Sequence, residues 1–276
     1  MSTGGLPAVA VERVAETGST NADLLAWARA VPADAVLAPR ALVAERQTAG
    51  RGRLGRTWDA TPGASLTLSL AWPLAAGVDL SGLSLAVGVA LAETLDPRPA
   101  EPLRIGLNWP NDLWLVGAGE PGRKLGGVRI ETVPRADGRV AVIGIGLNLL
   151  QQPVANASSG VAWVAEIDAA ATVPATLLER LLPTLVDSLR RFEREGFAAF
   201  AAAFAARDLL RGRAVRCGTG SGPGRDGIAA GISASGELLL RTATGVEPIV
   251  SGEVSVRLDT GRAAEQAPQL ASGAPC

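Results

Sequence analysis

Ser65-Leu66-Thr67-Leu68-Ser69-Leu70-Ala71-Trp72 is the stretch on which the fold turns. Leu66, Leu68, Leu70 and Trp72 fall on one face, and Ser65, Thr67, Ser69 and Ala71 on the other. A period of two with one apolar face predicts a half-buried strand. Before it, Val9–Glu16 and Ala41–Glu45 read as strands, separated by a helix over Ala22–Ala30. Ser19-Thr20-Asn21 supplies N-cap candidates for that helix, and Leu24, Leu25 and Trp27 are its core contacts. After it, Leu83–Leu95 reads as a helix stopped by Pro97 and Pro99. Leu103–Asn108 and Leu113–Val116 are strands around the turn Pro110-Asn111-Asp112, with Gly117–Gly122 as a hairpin loop. Lys124–Thr132 and Arg139–Leu149 pair across Pro134–Gly138, and helices follow at Ala175–Glu195 and Phe197–Arg207. All four Phe lie between Phe192 and Phe204, which points to helix packing rather than an aromatic ligand box. Beyond residue 207 the texture changes. Short strands at Ala214–Cys217, Gly227–Ile232, Leu238–Thr242, Glu247–Val250 and Val254–Leu258 alternate with Gly-rich turns and suggest a small barrel. Residues 259–276, rich in Ala, Gly, Pro and Gln, read as a disordered tail. The expected division is 1–206, 207–258 and the tail.

Composition narrows the chemistry. The chain has 276 residues, 47% hydrophobic and 19% charged, with 26 Lys+Arg against 27 Asp+Glu. That is a globular composition and excludes a disordered chain. A net charge of −1 argues against a protein whose main task is coating nucleic acid or an anionic membrane. The two cysteines, one of them the final residue Cys276, give no disulfide framework and fit a reducing compartment. Met1–Pro7 lacks the basic start of a signal peptide, and no apolar run is long enough to span a bilayer. A soluble cytoplasmic protein is expected. There is no His, so imidazole catalysis and His-ligated metal are excluded, and two cysteines alone cannot build a structural zinc site. Lys124 is the only lysine; every other basic residue is Arg. An ammonium is a compact point charge, whereas a guanidinium is a planar fork.

Four stretches could carry chemistry. In Gly50-Arg51-Gly52-Arg53-Leu54-Gly55-Arg56-Thr57-Trp58, closely spaced glycines let backbone N–H groups approach an anion, and the arginines add bidentate donors. No Gly-Lys-Ser/Thr ends it, so it is not a P-loop. A solvated basic loop or a single Gly-Arg RNA element is the alternative, and the charge density in an otherwise neutral chain favours anion binding over both. Asn108-Trp109-Pro110-Asn111-Asp112 can present an amide suited to an adenine edge and a hard oxygen suited to Mg²⁺. By itself it is also an ordinary turn. Arg123-Lys124-Leu125-Gly126-Gly127 sets the lone ammonium beside two strand glycines that leave room for a ligand. Gly144-Ile145-Gly146-Leu147-Asn148 again suggests close approach to backbone, with a β-bulge as the alternative.

Taken in order, Ser19–Asn21, Gly50–Trp58, Trp109–Asp112, Lys124–Gly127, Gly144–Asn148 and Ser251-Gly252-Glu253-Val254-Ser255-Val256-Arg257 resemble the biotin–protein ligases. The resemblance runs from about residue 11 to 258. It implies an α+β fold: a mixed β-sheet with helices, related to class II aminoacyl-tRNA synthetases, followed by a small SH3-like β-barrel. Ser19, Thr20, Gln47 and Gly50 would line a biotin pocket, with Gly127 contacting biotin through its backbone. Arg51 and Arg53 would hold the biotin carboxylate and phosphates, and Lys124 would contact both carboxylate and α-phosphate. Arg51, Arg53 and Lys124 are thus the expected catalytic residues. Asn111 and Asn148 would read adenine, Asp112 would support ATP and Mg²⁺, and Arg56 and Trp58 would lie near the adenylate. Glu253 and Arg257 would reach the nucleotide, and a tryptophan stacked on adenine falls near Trp163. The loop Gly50–Arg56 would order over bound ligand. Asn108 stands where the family has Lys, with Arg104 or Arg123 as candidate replacements.

The first motif begins at Ser19, so the resemblance implies a ligase-only form without DNA binding. Its implied substrates are biotin and ATP with Mg²⁺, and its implied partner is a biotin carboxyl carrier domain of acetyl-CoA or a related carboxylase. Lipoate or octanoate ligation on a related fold is an alternative, as is a non-catalytic RNA-binding module.

Overall fold

The computed structural model describes residues 9–32, 35–97, 104–117, 122–152, 160–219, 224–250 and 254–258. The expected tail, Glu253 and part of the Gly117–Gly122 loop lie outside these residues. Strands β1 (Ala10–Thr17), β2 (Arg40–Gln47), β3 (Ser65–Ala75), β4 (Ile105–Asn108), β5 (Asp112–Leu115), β6 (Arg123–Arg135) and β7 (Gly138–Asn148) form one sheet. Its order is β1-β2-β3-β7-β6-β5-β4. β1 and β2 are parallel and the other pairs antiparallel, so the sheet is mixed as expected.

Helix α1 (Thr20–Ala30) bridges the parallel pair. Its N-cap Ser19 is extended and accepts from the Ala22 N–H, which satisfies one of the donors a helix start leaves open. α1 lies on one face of the sheet, where Leu24, Leu25 and Ala28 pack with Leu42, Ala71, Val133, Val140 and Val142. Helices α2 (Leu83–Leu95) and α3 (Pro174–Glu195) cover the other face, over Leu66, Leu68, Leu70, Ile143, Ile145 and Leu147. β3 is therefore not half-buried. Ser65, Thr67, Ser69 and Ala71 are as enclosed as the leucines, because α1 and a cavity occupy the face that the pattern assigned to solvent.

α3 stops at Gly196, whose φ of 63° favours glycine. The expected helix Phe197–Arg207 shortens to a 3₁₀ turn at Phe197–Phe200 and helix α4 (Ala201–Ala205). The reason is competition for backbone. Arg207 O accepts from Leu107 N at 2.7 Å and Leu209 N donates to Leu107 O at 3.1 Å, so β4 draws this segment out of the helix. Phe192, Phe197, Phe200 and Phe204 are all buried against one another and the core, as helix packing requires.

Strands β8 (Ala214–Thr219), β9 (Arg225–Ile232), β10 (Leu238–Thr242), β11 (Gly245–Ile249) and β12 (Val254–Leu258) form an antiparallel sheet of order β11-β10-β9-β8-β12. Among the described residues no ladder joins β11 to β12, so the closure expected of a barrel is not among the described pairings. The small sheet is docked firmly. Val215, Cys217, Ala229, Leu238, Leu240 and Ile249 join the same apolar core as α2 and α3. The buried Trp109 Nε1 donates to Gly236 O at 3.0 Å across the junction. No helix among the described residues is long and apolar enough to cross a membrane.

Candidate active site

On the α1 face, β7 reads Val140, Val142, Gly144, Gly146, Asn148. The valines pack under α1; the glycines begin where the helix begins. Register explains what they are for. Thr67, Gly146, Gly127 and Asp112 lie side by side across four strands, and Ser69, Gly144 and Arg129 form the adjacent row. A Cβ on Gly144 would stand 2.3 Å from Asn21 Oδ1, one on Gly146 2.5 Å from the Trp58 ring, and one on Gly127 2.8 Å from Asp112 Oδ1. Three small residues thus make the floor of a cavity on which Asn21, Trp58 and Asp112 are laid.

At one end of the cavity the polar groups form a connected set. Thr20 donates to Gln47 Oε1 through both its N–H and its hydroxyl, at 2.7 and 3.0 Å. Ser69 Oγ sits 2.7 Å from Thr20 Oγ1 and 2.6 Å from Asn21 Oδ1. Asn21 Nδ2 donates to Glu131 Oε2 at 3.0 Å. Gly50 is buried against this set: a Cβ there would meet Trp58 O at 2.4 Å and Gln47 Nε2 at 2.7 Å.

At the other end the charge is positive. Arg51, Arg53, Arg56, Lys124 and Arg129 line the cavity, and Asp112 is the one carboxylate among the described lining residues. Lys124 Nζ donates to Asp112 Oδ1 at 2.7 Å. Arg53 Nη1 donates to Asn111 Oδ1 at 3.1 Å. Burial pulls the Arg53 guanidinium below its ordinary value; Asp112 opposes this, while Arg129 and Arg56 add to it. In a chain of net charge −1, such a concentration of cations is a site built for anions.

Ser19, Thr20, Gln47, Arg51, Arg53, Arg56, Trp58, Asn111, Asp112, Lys124 and Gly127 are therefore all brought to one cavity. Asn108, Gly144 and Gly146 join them, and Val256 of β12 carries the small sheet to the same wall. Other expected residues stand elsewhere. Asn148 is buried and reaches Lys124 O at 3.4 Å. Trp163 precedes the 3₁₀ turn Val164–Glu166 and is not among the lining residues. The Arg257 side chain and all of Glu253 lie outside the described residues.

Asn111 takes Arg53 on its oxygen and donates its amide to Val128 O at 2.8 Å, which makes it a brace between loop and β6. Neither candidate replacement for the lysine expected at position 108 serves. Arg123 forks onto Glu166, and Arg104 donates to Glu166 O and Ile167 O; neither lines the cavity.

Three contributors escape a reading by motif. Thr67 Oγ1 is buried with no protein partner among the described residues and lines the cavity. Its signal was the polar half of the β3 alternation. Arg129 and Glu131 extend the Lys124–Gly127 strand by alternate residues on the same face, so the period of two could have found them.

Comparison with known proteins agrees with this geometry. Residues 20–148 match the Biotin/lipoate A/B protein ligase family and residues 212–257 the Biotin protein ligase C terminal domain. A biotin--[acetyl-CoA-carboxylase] ligase of Mycobacterium tuberculosis is 36% identical over 87% of this chain and 86% of its own length. The bifunctional ligase/repressor BirA of Salmonella typhimurium is also 36% identical, over 79% of this chain; the match spans 66% of that relative. Among solved structures, a biotin protein ligase from Aquifex aeolicus in complex with biotin and ATP superposes with a TM-score of 0.74. It is 28% identical, covering 91% of this chain and 99% of that one. The chain belongs to the biotin protein ligase family.

Proposed function

We propose that the chain is an ATP-dependent biotin–protein ligase that forms biotinyl-5′-AMP and passes the biotinyl group to a lysine of a carboxyl carrier domain. The observation that carries this is the continuity of one cavity. A set of neutral donors and acceptors at Ser19, Thr20 and Gln47, with Ser69 buried behind Thr20, opens directly onto Arg51, Arg53, Arg56, Lys124 and Arg129. The polar end suits a ureido ring, which both donates and accepts; the cationic end suits a carboxylate and a phosphate.

The chemistry follows from charge. A carboxylate is a poor acylating agent because its leaving group is oxide. Its attack on the α-phosphorus of ATP breaks the bond to pyrophosphate and makes a mixed anhydride, from which AMP leaves readily. The two reactants are anions and repel, so the protein's main work is to gather them and offset the charge that develops. Arg51 and Arg53 flank Gly52 and offer planar forks. Lys124 offers a point charge that shifts between carboxylate and phosphate as charge redistributes. Asp112, at 2.7 Å, keeps that ammonium aimed into the cavity. In the second step the carrier amine attacks the acyl carbon, AMP departs and the amine proton is lost to solvent. No covalent enzyme nucleophile is needed.

Among the described residues no group of three or more His, Cys, Asp or Glu could hold a metal by itself. A magnesium ion that arrives on the nucleotide phosphates needs only one or two carboxylates, and Asp112 meets that requirement. Mg²⁺ is accordingly part of the nucleotide substrate.

The test is incubation with ATP, Mg²⁺, biotin and a biotin carrier domain, followed by mass measurement of the carrier. One biotinyl increment that needs both small molecules supports the reading. An increment from lipoate in preference to biotin assigns the chain to the related ligation, and no increment contradicts both.

A further inference from the structure

The polar end of the cavity is a relay of donors and acceptors whose two ends cannot exchange roles. At one end the Thr20 backbone N–H can only donate, so Gln47 turns its amide oxygen to it, at 2.7 Å. At the other end Glu131 accepts from Asn21 Nδ2 at 3.0 Å. Arg129 grips that carboxylate at two points, Nε to Oε2 at 3.0 Å and Nη2 to Oε1 at 3.1 Å. These bonds hold the Glu131 carboxyl below its ordinary value against the pull of burial, and Asn21 and the charge of Arg29 act in the same direction. An ionised carboxylate can only accept. We propose that Glu131 is a positioning residue: by fixing which way the Asn21 amide points, it sets the donor and acceptor pattern that the pocket presents to the ureido ring, a role that rests on the ligase reading of the cavity.

Proton counting links the two ends. Asn21 is buried and lies across Gly144. With its nitrogen committed to Glu131, its oxygen faces Ser69 Oγ at 2.6 Å. An amide oxygen cannot donate, so that bond must use the Ser69 proton. Ser69 is fully buried and has a single proton, and Thr20 Oγ1, at 2.7 Å, is its other neighbour. The Thr20 hydroxyl proton is directed at Gln47 Oε1, at 3.0 Å. Thr20 Oγ1 therefore receives only a share of the Ser69 proton and keeps lone-pair capacity for a ligand N–H. Turning the Asn21 amide over reverses the relay. Its nitrogen would donate to Ser69, and the Ser69 proton would pass wholly to Thr20 and occupy a lone pair that the present arrangement leaves for a ligand. A ureido ring carries two N–H donors and one carbonyl, so it needs acceptors from its pocket. Glu131 and Ser69 are not among the residues lining the cavity, yet they decide whether Thr20 is such an acceptor.

The test is calorimetric binding and steady-state kinetics on the full chain, with biotin and its two cyclic-carbamate analogues, each carrying an ether oxygen in place of one ureido N–H. Glu131→Gln keeps the size of the side chain but removes the obligate acceptor, so Asn21 is free to turn. Weakening one neutral hydrogen bond to the ring predicts a Kd and KM for biotin that rise roughly three- to ten-fold while kcat is nearly unchanged. A site that hydrogen-bonds an N–H rejects the analogue without it. Wild type should therefore discriminate against at least one carbamate, and the ratio should shrink in Glu131→Gln by a similar factor. Glu131→Asp, still an obligate acceptor, keeps the wild-type ratio. The double variant Asn21→Asp/Glu131→Gln exchanges the two groups: the carboxylate at position 21 can only accept and again takes the Ser69 proton, so Kd and discrimination return toward wild type. A merely structural role for Glu131 gives no such return. Wild-type Kd and discrimination in Glu131→Gln, or a double variant no better than the single one, overturns the proposal and leaves the ligase reading intact. A wild type that binds no biotin contradicts both.

Discussion

The two faces of the same strands make different bargains. On one, Leu66, Leu68, Leu70, Ile143, Ile145 and Leu147 fill the space beneath α2 and α3. On the other, Thr67, Ser69, Gly144, Gly146 and Gly127 bury polar atoms and leave volume unfilled. A sheet optimised only for stability would carry β-branched residues at 144 and 146, as it does at 140 and 142. The lesson is that burial alone does not identify the core: side-chain volume separates the face that holds the fold from the face that holds ligand.

Substitutions on each face should separate stability from binding. The largest effect belongs to the apolar face. Leu66→Ala, at a fully buried position, is expected to lose about 2–5 kcal/mol in urea unfolding. The protein that remains folded should keep its biotin KM. On the ligand face, Gly146→Val drives a side chain into the Trp58 ring, where a Cβ alone would stand at 2.5 Å. Because Trp58 is at the cavity wall, the roughly 1–3 kcal/mol of overpacking should appear as weaker adenylate binding in calorimetry, with the urea midpoint nearly unmoved. Equal loss of stability in the two variants would erase the distinction.

The smallest effect is in pH. The Arg129 guanidinium holds the Glu131 carboxyl below its ordinary value of 4.5, against the opposing pull of burial. Its contribution is therefore complete above pH 4.5 and is lost as pH falls through the lower folded value. Stability in urea should fall on acidification through that window in wild type. In Glu131→Gln the step should be absent.

Much of this was legible in the sequence because it is periodic or compositional. The alternation at Ser65–Trp72, the apolar spacing of Leu83–Leu95 and the isolation of Lys124 in an arginine-rich chain each follow from a local rule. What was not legible depends on partners distant in the chain. The polar side of β3 reads as solvent-facing until α1 is laid over it. The helix through Arg207 is lost to hydrogen bonds with Leu107, which nothing near Arg207 announces. Arg129 reads as one more arginine until Gly52 is found above it, 77 residues away in sequence. Arg104 and Arg123 show the converse: proximity in sequence to the site suggested a role that Glu166 and its neighbours had already claimed.

Biotin-dependent exchange of pyrophosphate into ATP, run side by side on wild type and Lys124→Ala, tests most directly whether this cavity joins two repelling oxyanions. Exchange in wild type and a fall of roughly a hundred-fold or more in the variant, with an unchanged unfolding transition, is the predicted result. Equal exchange in both proteins, or none in wild type, would contradict it.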